Sequence, residues 1–274
     1  MTEYCFLTSI YKNTKADEMK ICVESMVSQT IAPSQIVVVV DGPIDGTLDE
    51  YIKELEINQL FTVLRLENNV GLGDALKFGT EVCLYEIVAR MDTDDICVLD
   101  RMEKQLKVLE EDESISIVGS NIAEFIGAKD NVVSVRDLPA EHDAIVTYMK
   151  KRCPFNHMTV TFRKSEVLKA GGYMHWHYDE DSYLWARMYL AGCRFANIGE
   201  NLVYARIDND TFKRRGGKKY YLSEKALFRF MLDNKIITKK EYRKAVAMRY
   251  IIQVLLPNRL RGWLFINFMR KKPK

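Results

Sequence analysis

No window of this 274-residue chain approaches the roughly 18 uninterrupted apolar residues of a membrane-spanning helix. The first 13 residues carry no basic region ahead of their short apolar run and no small-residue cleavage site. They read as a first core strand, not a secretory signal. The six cysteines (Cys5, Cys22, Cys83, Cys97, Cys153, Cys193) include no C-x-x-C pair. That spacing offers no zinc site, and several fall in apolar runs where Cys acts as a small hydrophobe. A reduced, cytosolic setting is expected. There is no internal repeat, low-complexity stretch or Pro/Gly-rich linker. Acid is scarce only at one end.

That scarcity is the informative part of an otherwise ordinary composition, 47% hydrophobic and 28% charged with a net charge of +2, which excludes a disordered or fibrous chain. Residues 1–212 carry 21 Lys/Arg against 35 Asp/Glu, whereas residues 213–274 carry 19 Lys/Arg against three acids, Glu224, Asp233 and Glu241. Such asymmetry points to a basic segment that meets an anionic partner. Nucleic acid is not the expected partner, because the acidic remainder would repel phosphates.

Along the first half, strand and helix patterns alternate. Residues 4–10 are apolar and β-prone, and Met19, Cys22, Val23, Met26 and Val27 recur at helical spacing within 17–29. Residues 36–40 are a β-branched run stopped by Asp41-Gly42-Pro43. A helix is predicted over 47–57, a strand over 61–66, a helix from Gly71 to about 83, and a strand over 86–91. Leu99, Met102, Leu106 and Leu109 stripe a further helix before a strand at 115–118. After 120 the pattern loosens into strand and loop, with helices at 141–151, 164–169 and 180–191, and then 218–232, 239–255 and 258–270. This order predicts an α/β fold with a mostly parallel sheet flanked by helices. Ligands bind outside the carboxyl ends of such strands, so Asp41 and Asp92-Thr93-Asp94 should face one cleft.

Four constellations carry chemistry. Arg90-Met91-Asp92-Thr93-Asp94-Asp95 packs carboxylates closely enough to need a cation, and oxygen ligands suit Mg²⁺ or Mn²⁺. The bland alternative is an acidic turn with Asp95 as a helix cap. Asp179-Glu180-Asp181 opens a helix and offers a general base whose neighbours raise its pKa, or simply acids that favour a helix N-terminus. Asn69-Val70-Gly71-Leu72-Gly73 opens a helix without the spacing of a dinucleotide or P-loop fingerprint. Arg214-Arg215-Gly216-Gly217 sets two guanidinium forks beside glycines, able to close over a diphosphate. His157, leading a strand, is placed to face the cleft.

In order, these features resemble the family 2 glycosyltransferases of the GT-A fold, particularly bacterial enzymes of capsule and exopolysaccharide synthesis. The matching residues are Thr8-Ser9-Ile10-Tyr11-Lys12-Asn13, Val37–Gly42, Asn69–Leu72, Ala89–Asp95, Pro154–Val160, Ala170-Gly171-Gly172-Tyr173, Glu180-Asp181 with Leu184-Trp185, and Arg214–Gly217. The resemblance implies a catalytic domain over 1–217 with a basic helical extension over 218–274. It implies that Thr8, Tyr11 and Asp41 line the nucleotide-base pocket, with Asn69 and Arg90 also on the donor side. Asp92 would contact ribose or sugar, and Asp94, with Asp92, would hold Mn²⁺ or Mg²⁺ at the diphosphate. Asp208 stands where related enzymes often carry a metal-binding His. Asp181, beside Glu180, would be the catalytic base, His157 and Asp179 would meet the acceptor, and Arg214 and Arg215 would cover the diphosphate. No Q-x-x-R-W motif of processive synthases is present, which favours transfer of single sugars.

The expected reaction moves one sugar, with inversion, from a nucleotide sugar (a UDP-sugar) to a hydroxyl of a lipid-linked saccharide. The alternatives are a sugar-phosphate nucleotidyltransferase, disfavoured because residues 9–15 contain no glycine, and a non-catalytic nucleotide-sugar-binding subunit. Residues 239–274 hold eleven Lys/Arg and one acid, with Trp263, Phe265 and Phe268 among them. This combination predicts an interfacial helix on the anionic inner face of the cell membrane, or else aromatics packed on the catalytic domain or on a second subunit of a homodimer.

Overall fold

The computed structural model describes residues 2–208 and 216–257. Arg214, Arg215 and the predicted 258–270 helix lie outside the described residues. The chain begins with β1 (Tyr4–Ile10), α1 (Ala16–Val27), β2 (Gln35–Asp41), α2 (Gly46–Ile57), β3 (Phe61–Leu66), α3 (Leu72–Val82) and β4 (Ile87–Arg90). Short β5 (Ile96–Cys97), α4 (Arg101–Glu111), β6 (Ile115–Phe125), β7 (Val132–Arg136) and α5 (His142–Met149) follow. Next come β8 (Thr161–Arg163), α6 (Lys164–Lys169), α7 (Glu180–Leu190) and β9 (Arg194–Arg206). Helices α8 (Lys218–Asp233) and α9 (Lys239–Arg249) lead into a π-helical turn, Tyr250–Leu255.

The strands join in the order β3-β2-β1-β4-β8-β6-β9-β5, with β7 on β6. The β3-β2-β1-β4 run is parallel throughout. β8 is antiparallel to both β4 and β6, and β9 returns parallel to β6. The period of two along a strand sorts the core into two layers. Cys5, Leu7, Val37 and Val39 face the cluster that includes Trp185 and Phe155. Tyr4, Phe6, Ile10, Ile36, Val38 and Val40 face the cluster with Met19, Met26 and Met102. Burial on both faces is why β2 reads as a continuous β-branched run instead of an alternating one.

The structure corrects several expectations. β6 runs to Phe125 and is buried along its length, although apolar periodicity fades after 118. Its polar residues are satisfied internally: Asn121 donates to Gly199 O and accepts from Leu138 N. Leu99 is 59% exposed and precedes α4. Residues 157–159 form a 3-10 turn before β8, so His157 does not itself begin the strand. Asp95 caps no helix; Asp100 stands at the N-cap of α4.

Gln105 ties these layers together. Fully buried on α4, it accepts from Arg101 Nε (2.9 Å) and Thr161 Oγ1 (2.8 Å) and donates to Val118 O and Thr159 O. Removing it takes this partner from Arg101 Nε, the Thr161 hydroxyl and two carbonyls, and a buried polar group left unsatisfied costs about 1–3 kcal/mol. Gln105→Ala is therefore expected to lower unfolding stability by about 3 kcal/mol or more, read from denaturant unfolding.

Candidate functional site

The carboxyl ends of β1, β2 and β4 open into a cleft of about 610 Å³. Asp41, ending β2, is almost buried there. Its Oδ1 accepts from Val70 N (2.7 Å), and its Oδ2 from Gly71 N (3.0 Å) and the Asn69 amide (2.8 Å). The turn that opens α3 is thus built on this carboxylate. The close approach requires Gly42, at φ 84°, because a Cβ there would lie 2.6 Å from Asn69 N. Oδ1 keeps room for one further donor from the cleft. Tyr11, 41% exposed, lines the cleft wall with Ser9. Thr8 does not line it: strand parity puts Thr8 on the face of Phe6 and Ile10, fully buried.

Beyond β4 the chain turns through the acidic run. Asp92, Asp94 and Asp95 place carboxylate oxygens within 4.8 Å of one another. Asp94 is the most open to the cleft; the enclosing walls and then repulsion from Asp92 still push its carboxyl up to about 6. Asp95 is buried, and burial followed by its two acidic neighbours drives its carboxyl well above the usual range. Its Oδ1 accepts from Arg206 N (2.8 Å), while its Oδ2 has no hydrogen-bond partner. Three crowded carboxylates, one with an orphaned buried oxygen, fit a hard divalent cation. The trio contains Asp95 and not Asp208, which is exposed just past β9.

Arg90 pairs with Asp92 at 2.5 Å. It is 2% exposed and lines neither cavity, so it holds Asp92 from behind and is not placed to touch a nucleotide. A residue that spacing did not single out, Arg206, does reach the cleft. It pairs with Glu18 (3.4 Å), donates to Asp94 O, and stacks on Phe125 at 4.6 Å. Its place two residues before Asp208, at the end of β9, is the local signal that marks it.

A second cavity of about 420 Å³ adjoins the first, and Asp92, Met158 and Tyr178 line both. At the start of α7, Glu180 lines the first cavity and Asp181 the second. Gly73 permits this approach: a Cβ there would lie 3.2 Å from Glu180 Cβ and collide with Met174. Asp181 Oδ1 accepts from Ser182 N (2.5 Å), and its Oδ2 accepts from the Cys153 thiol (3.2 Å). Burial pushes that thiol up to about 12, so it remains a donor. Burial and the charge of Asp181 push Glu180 up to about 7. Asp179 is driven well above the usual range by burial, Glu224 and Asp181. His157 lines the second cavity and pairs with Tyr173 Oη at 3.0 Å. Burial and then Arg90 hold it well below 6.5, hence neutral at pH 7.

The helices after 217 complete this second cavity. Glu224 on α8 pairs with Arg249 (3.0 Å) and accepts from the Gln253 amide. Arg249 donates to Lys151 O (2.8 Å) and lies 4.1 Å over the Phe228 ring. Leu227, Phe228, Met231 and Ala245 share the core cluster of Trp185 and Phe155. A division at 217 therefore does not separate the second cavity from the helices behind it.

Glu180 supplies a test of these electrostatics. A carboxyl raised from about 4.3 in the unfolded chain to about 7 when folded binds more protons in the native state. Its contribution is fully present below about pH 4.3 and is lost as pH rises through 7. Glu180→Gln should thus gain in thermal midpoint relative to the parent between pH 4.5 and 7.5 in EDTA. A flat difference would contradict the shift.

The glycosyl transferase family 2 model matches residues 6–171. The amylovoran biosynthesis glycosyltransferase AmsE of Erwinia amylovora is 36% identical over 84% of this chain and 85% of its own length. An Escherichia coli UDP-Gal:alpha-D-GlcNAc-diphosphoundecaprenol beta-1,3-galactosyltransferase is 31% identical over 98% and 97%. Among solved structures, Staphylococcus aureus TarS 1-349 in complex with UDP-GlcNAc superimposes with a TM-score of 0.67 at 15% identity, covering 96% of this chain and 75% of that one. At that identity the likeness speaks to fold, and the fold is GT-A. With the family model covering more than half of the chain and relatives matched along most of their length, the chain belongs to glycosyl transferase family 2.

Proposed function

We propose that this glycosyltransferase moves a single sugar from a UDP-sugar to a hydroxyl of a lipid-linked saccharide, with inversion, in the synthesis of a bacterial surface polysaccharide. The observation that carries the reading is the divided start of α7: Glu180 borders one cavity, Asp181 the next, and Asp92 stands at their junction. A donor in the first cavity and an acceptor in the second would meet there. The Escherichia coli relative's transfer from UDP-Gal to a diphosphoundecaprenol-linked sugar supports this donor and acceptor chemistry, and AmsE supports the polysaccharide setting.

Tyr11, Asp41 and Asn69 form the nucleotide end, where Asp41 Oδ1 accepts from the base ring. Asp92, fixed by Arg90, meets the ribose or the transferred sugar. Asp92, Asp94 and Asp95 would hold Mn²⁺ or Mg²⁺, which when bound supplies positive charge against the diphosphate. Arg214 and Arg215 are assigned to the same diphosphate. On the acceptor side, Asp181 takes the hydroxyl proton as that oxygen bonds to the anomeric carbon. The bond from that carbon to the phosphate oxygen breaks, and its electron pair leaves with the nucleoside diphosphate. Attack from the side opposite the leaving group inverts the centre. The Cys153 thiol and the Ser182 amide orient Asp181; His157 and Asp179 border the acceptor. No described helix is long and apolar enough to cross a membrane, and the enzyme works as a peripheral protein on the inner face of the cell membrane.

Asp181→Asn should leave UDP-sugar affinity within about twofold while kcat/KM falls about 10³-fold, the scale of a general base. Near-normal turnover would remove Asp181 from this role. Asp94→Ala should abolish the part of donor affinity that depends on metal, checked by titrating the UDP-sugar with Mn²⁺ and with EDTA. Product anomeric configuration, read by NMR, tests inversion.

A further inference from the structure

Resting on the glycosyl-transfer reading above, we propose that Tyr178 is the stacking platform of the acceptor: its ring packs on the C–H face of the reacting sugar where the two cavities join. The starting observation is a conflict between backbone and side chain. Tyr178 sits at φ 68°, in the left-handed region where a Cβ is crowded and glycine is the usual occupant. Lys235, the other described non-glycine residue in that region, directly follows the C-cap of α8, where helices ordinarily end in this conformation. Tyr178 ends no helix. It stands instead between two fixed points. The His177 carbonyl before it accepts from the Ser223 hydroxyl of α8, and the Asp179 carbonyl after it accepts from Tyr183 N (2.9 Å) in the first turn of α7. Trp176 is anchored as well, its ring 4.2 Å from that of Tyr183. A glycine would make this turn with less strain, so the turn does not account for the tyrosine. What the tyrosine adds is its ring.

That ring serves the cavities and not the core. Tyr178 is 53% exposed, and with Asp92 and Met158 it lines both cavities. It leans on the rings of His177 (4.1 Å) and Tyr220 (5.6 Å), which fix its direction. Among the described residues its hydroxyl has no hydrogen-bond partner. A half-exposed aromatic held in a disfavoured conformation beside a cleft marks a binding surface. The surrounding chemistry selects the ligand. The negative face of an aromatic ring attracts the polarised C–H bonds on one face of a pyranose. Asp181, three residues further on and lining the second cavity, accepts from a hydroxyl of the same sugar. Stacking fixes the plane of the sugar, and that plane fixes which hydroxyl meets Asp181. Tyr178 is thus a determinant of the acceptor position that is glycosylated.

The test uses the full chain with UDP and Mg²⁺ in the donor cleft and reads saturation transfer by NMR. The probes are the methyl β-pyranosides of glucose, galactose and N-acetylglucosamine, with sorbitol as a polyol that has no ring face. A pyranoside should receive saturation, strongest on the C–H protons of one ring face, and sorbitol should not. Tyr178→Phe should keep that signal. Tyr178→Gly should lower pyranoside affinity about tenfold, the scale of one aromatic contact, while UDP affinity stays within about twofold. Its thermal midpoint should lie above that of Tyr178→Ala, because glycine relieves the left-handed turn, which separates loss of the ring from a folding defect. The inference is overturned if no pyranoside binds the parent, if Tyr178→Gly binds like the parent, or if it loses UDP affinity equally. A glycine variant less stable than the alanine one would overturn it too, by removing the strain it starts from. Failure of UDP to bind the parent would instead sink the glycosyl-transfer reading, which makes the two failures distinguishable.

Discussion

Like charges gathered at the carboxyl edge of the sheet repel one another, and much of this molecule is arranged to hold them there. Asp41 is hydrogen-bonded by two backbone amides and the Asn69 side chain, and that arrangement shapes the start of α3. Asp92 leans on the buried Arg90. Asp95 is tied to the backbone of β9 through Arg206. Asp179, Glu180 and Asp181 sit at the amino end of α7, where the helix dipole favours negative charge. The holding is incomplete. Asp94, Asp95, Asp179 and Glu180 are all raised by burial and by neighbouring acids. Strain of this kind, concentrated in a cleft, is what a site primed for a cation and a proton transfer looks like.

The same constraint explains the two cavities. On the proposed reading, a single open crevice would bring the donor diphosphate against Asp181, the base assigned to the acceptor. Glu180 and Asp181 instead line different cavities, which on that reading gives each substrate its own electrostatic setting. Asp92, pinned by a guanidinium that touches neither cavity, stays fixed at the junction. Arg90 is thus a positioning residue, acting through Asp92.

Much of this was legible from residue order. The strand–helix alternation through residue 118 is written in β-branched runs and in breakers such as Asp41-Gly42-Pro43, because burial on both faces leaves a signal that is both local and strong. The acidic run after β4 and the acidic start of α7 were likewise local. What stayed hidden depended on parity or on distance. Thr8 and Ser9 are neighbours in sequence and opposites in space, and nothing in the pair itself decides which one faces the cleft. β6 beyond 118 carries Ser120, Asn121 and Glu124 in its interior, and such polar residues disguise a buried strand. Arg206, Cys153 and Glu224 reach the site from segments far apart in the chain, and each would pass for an ordinary surface or core residue.

The C-terminal helices change how the basic end of the chain should be understood. Charge counting sets 213–274 apart as a cationic segment, and its most basic stretch, 239–274, invites a cut near 238. Such a cut would delete α9 and the π-helical turn, and with them Arg249, which holds Glu224 on one side and Lys151 O on the other. The second cavity would lose a wall, so lost activity in that shortened chain would say nothing about a membrane. A chain ending at 257 keeps the wall and removes only residues 258–274, with Trp263, Phe265 and Phe268. Co-sedimentation of that chain with anionic vesicles, beside the full chain, separates the two roles: weaker vesicle binding with unchanged turnover on a short-chain acceptor assigns membrane attachment to the tail, whereas equal vesicle binding removes that assignment.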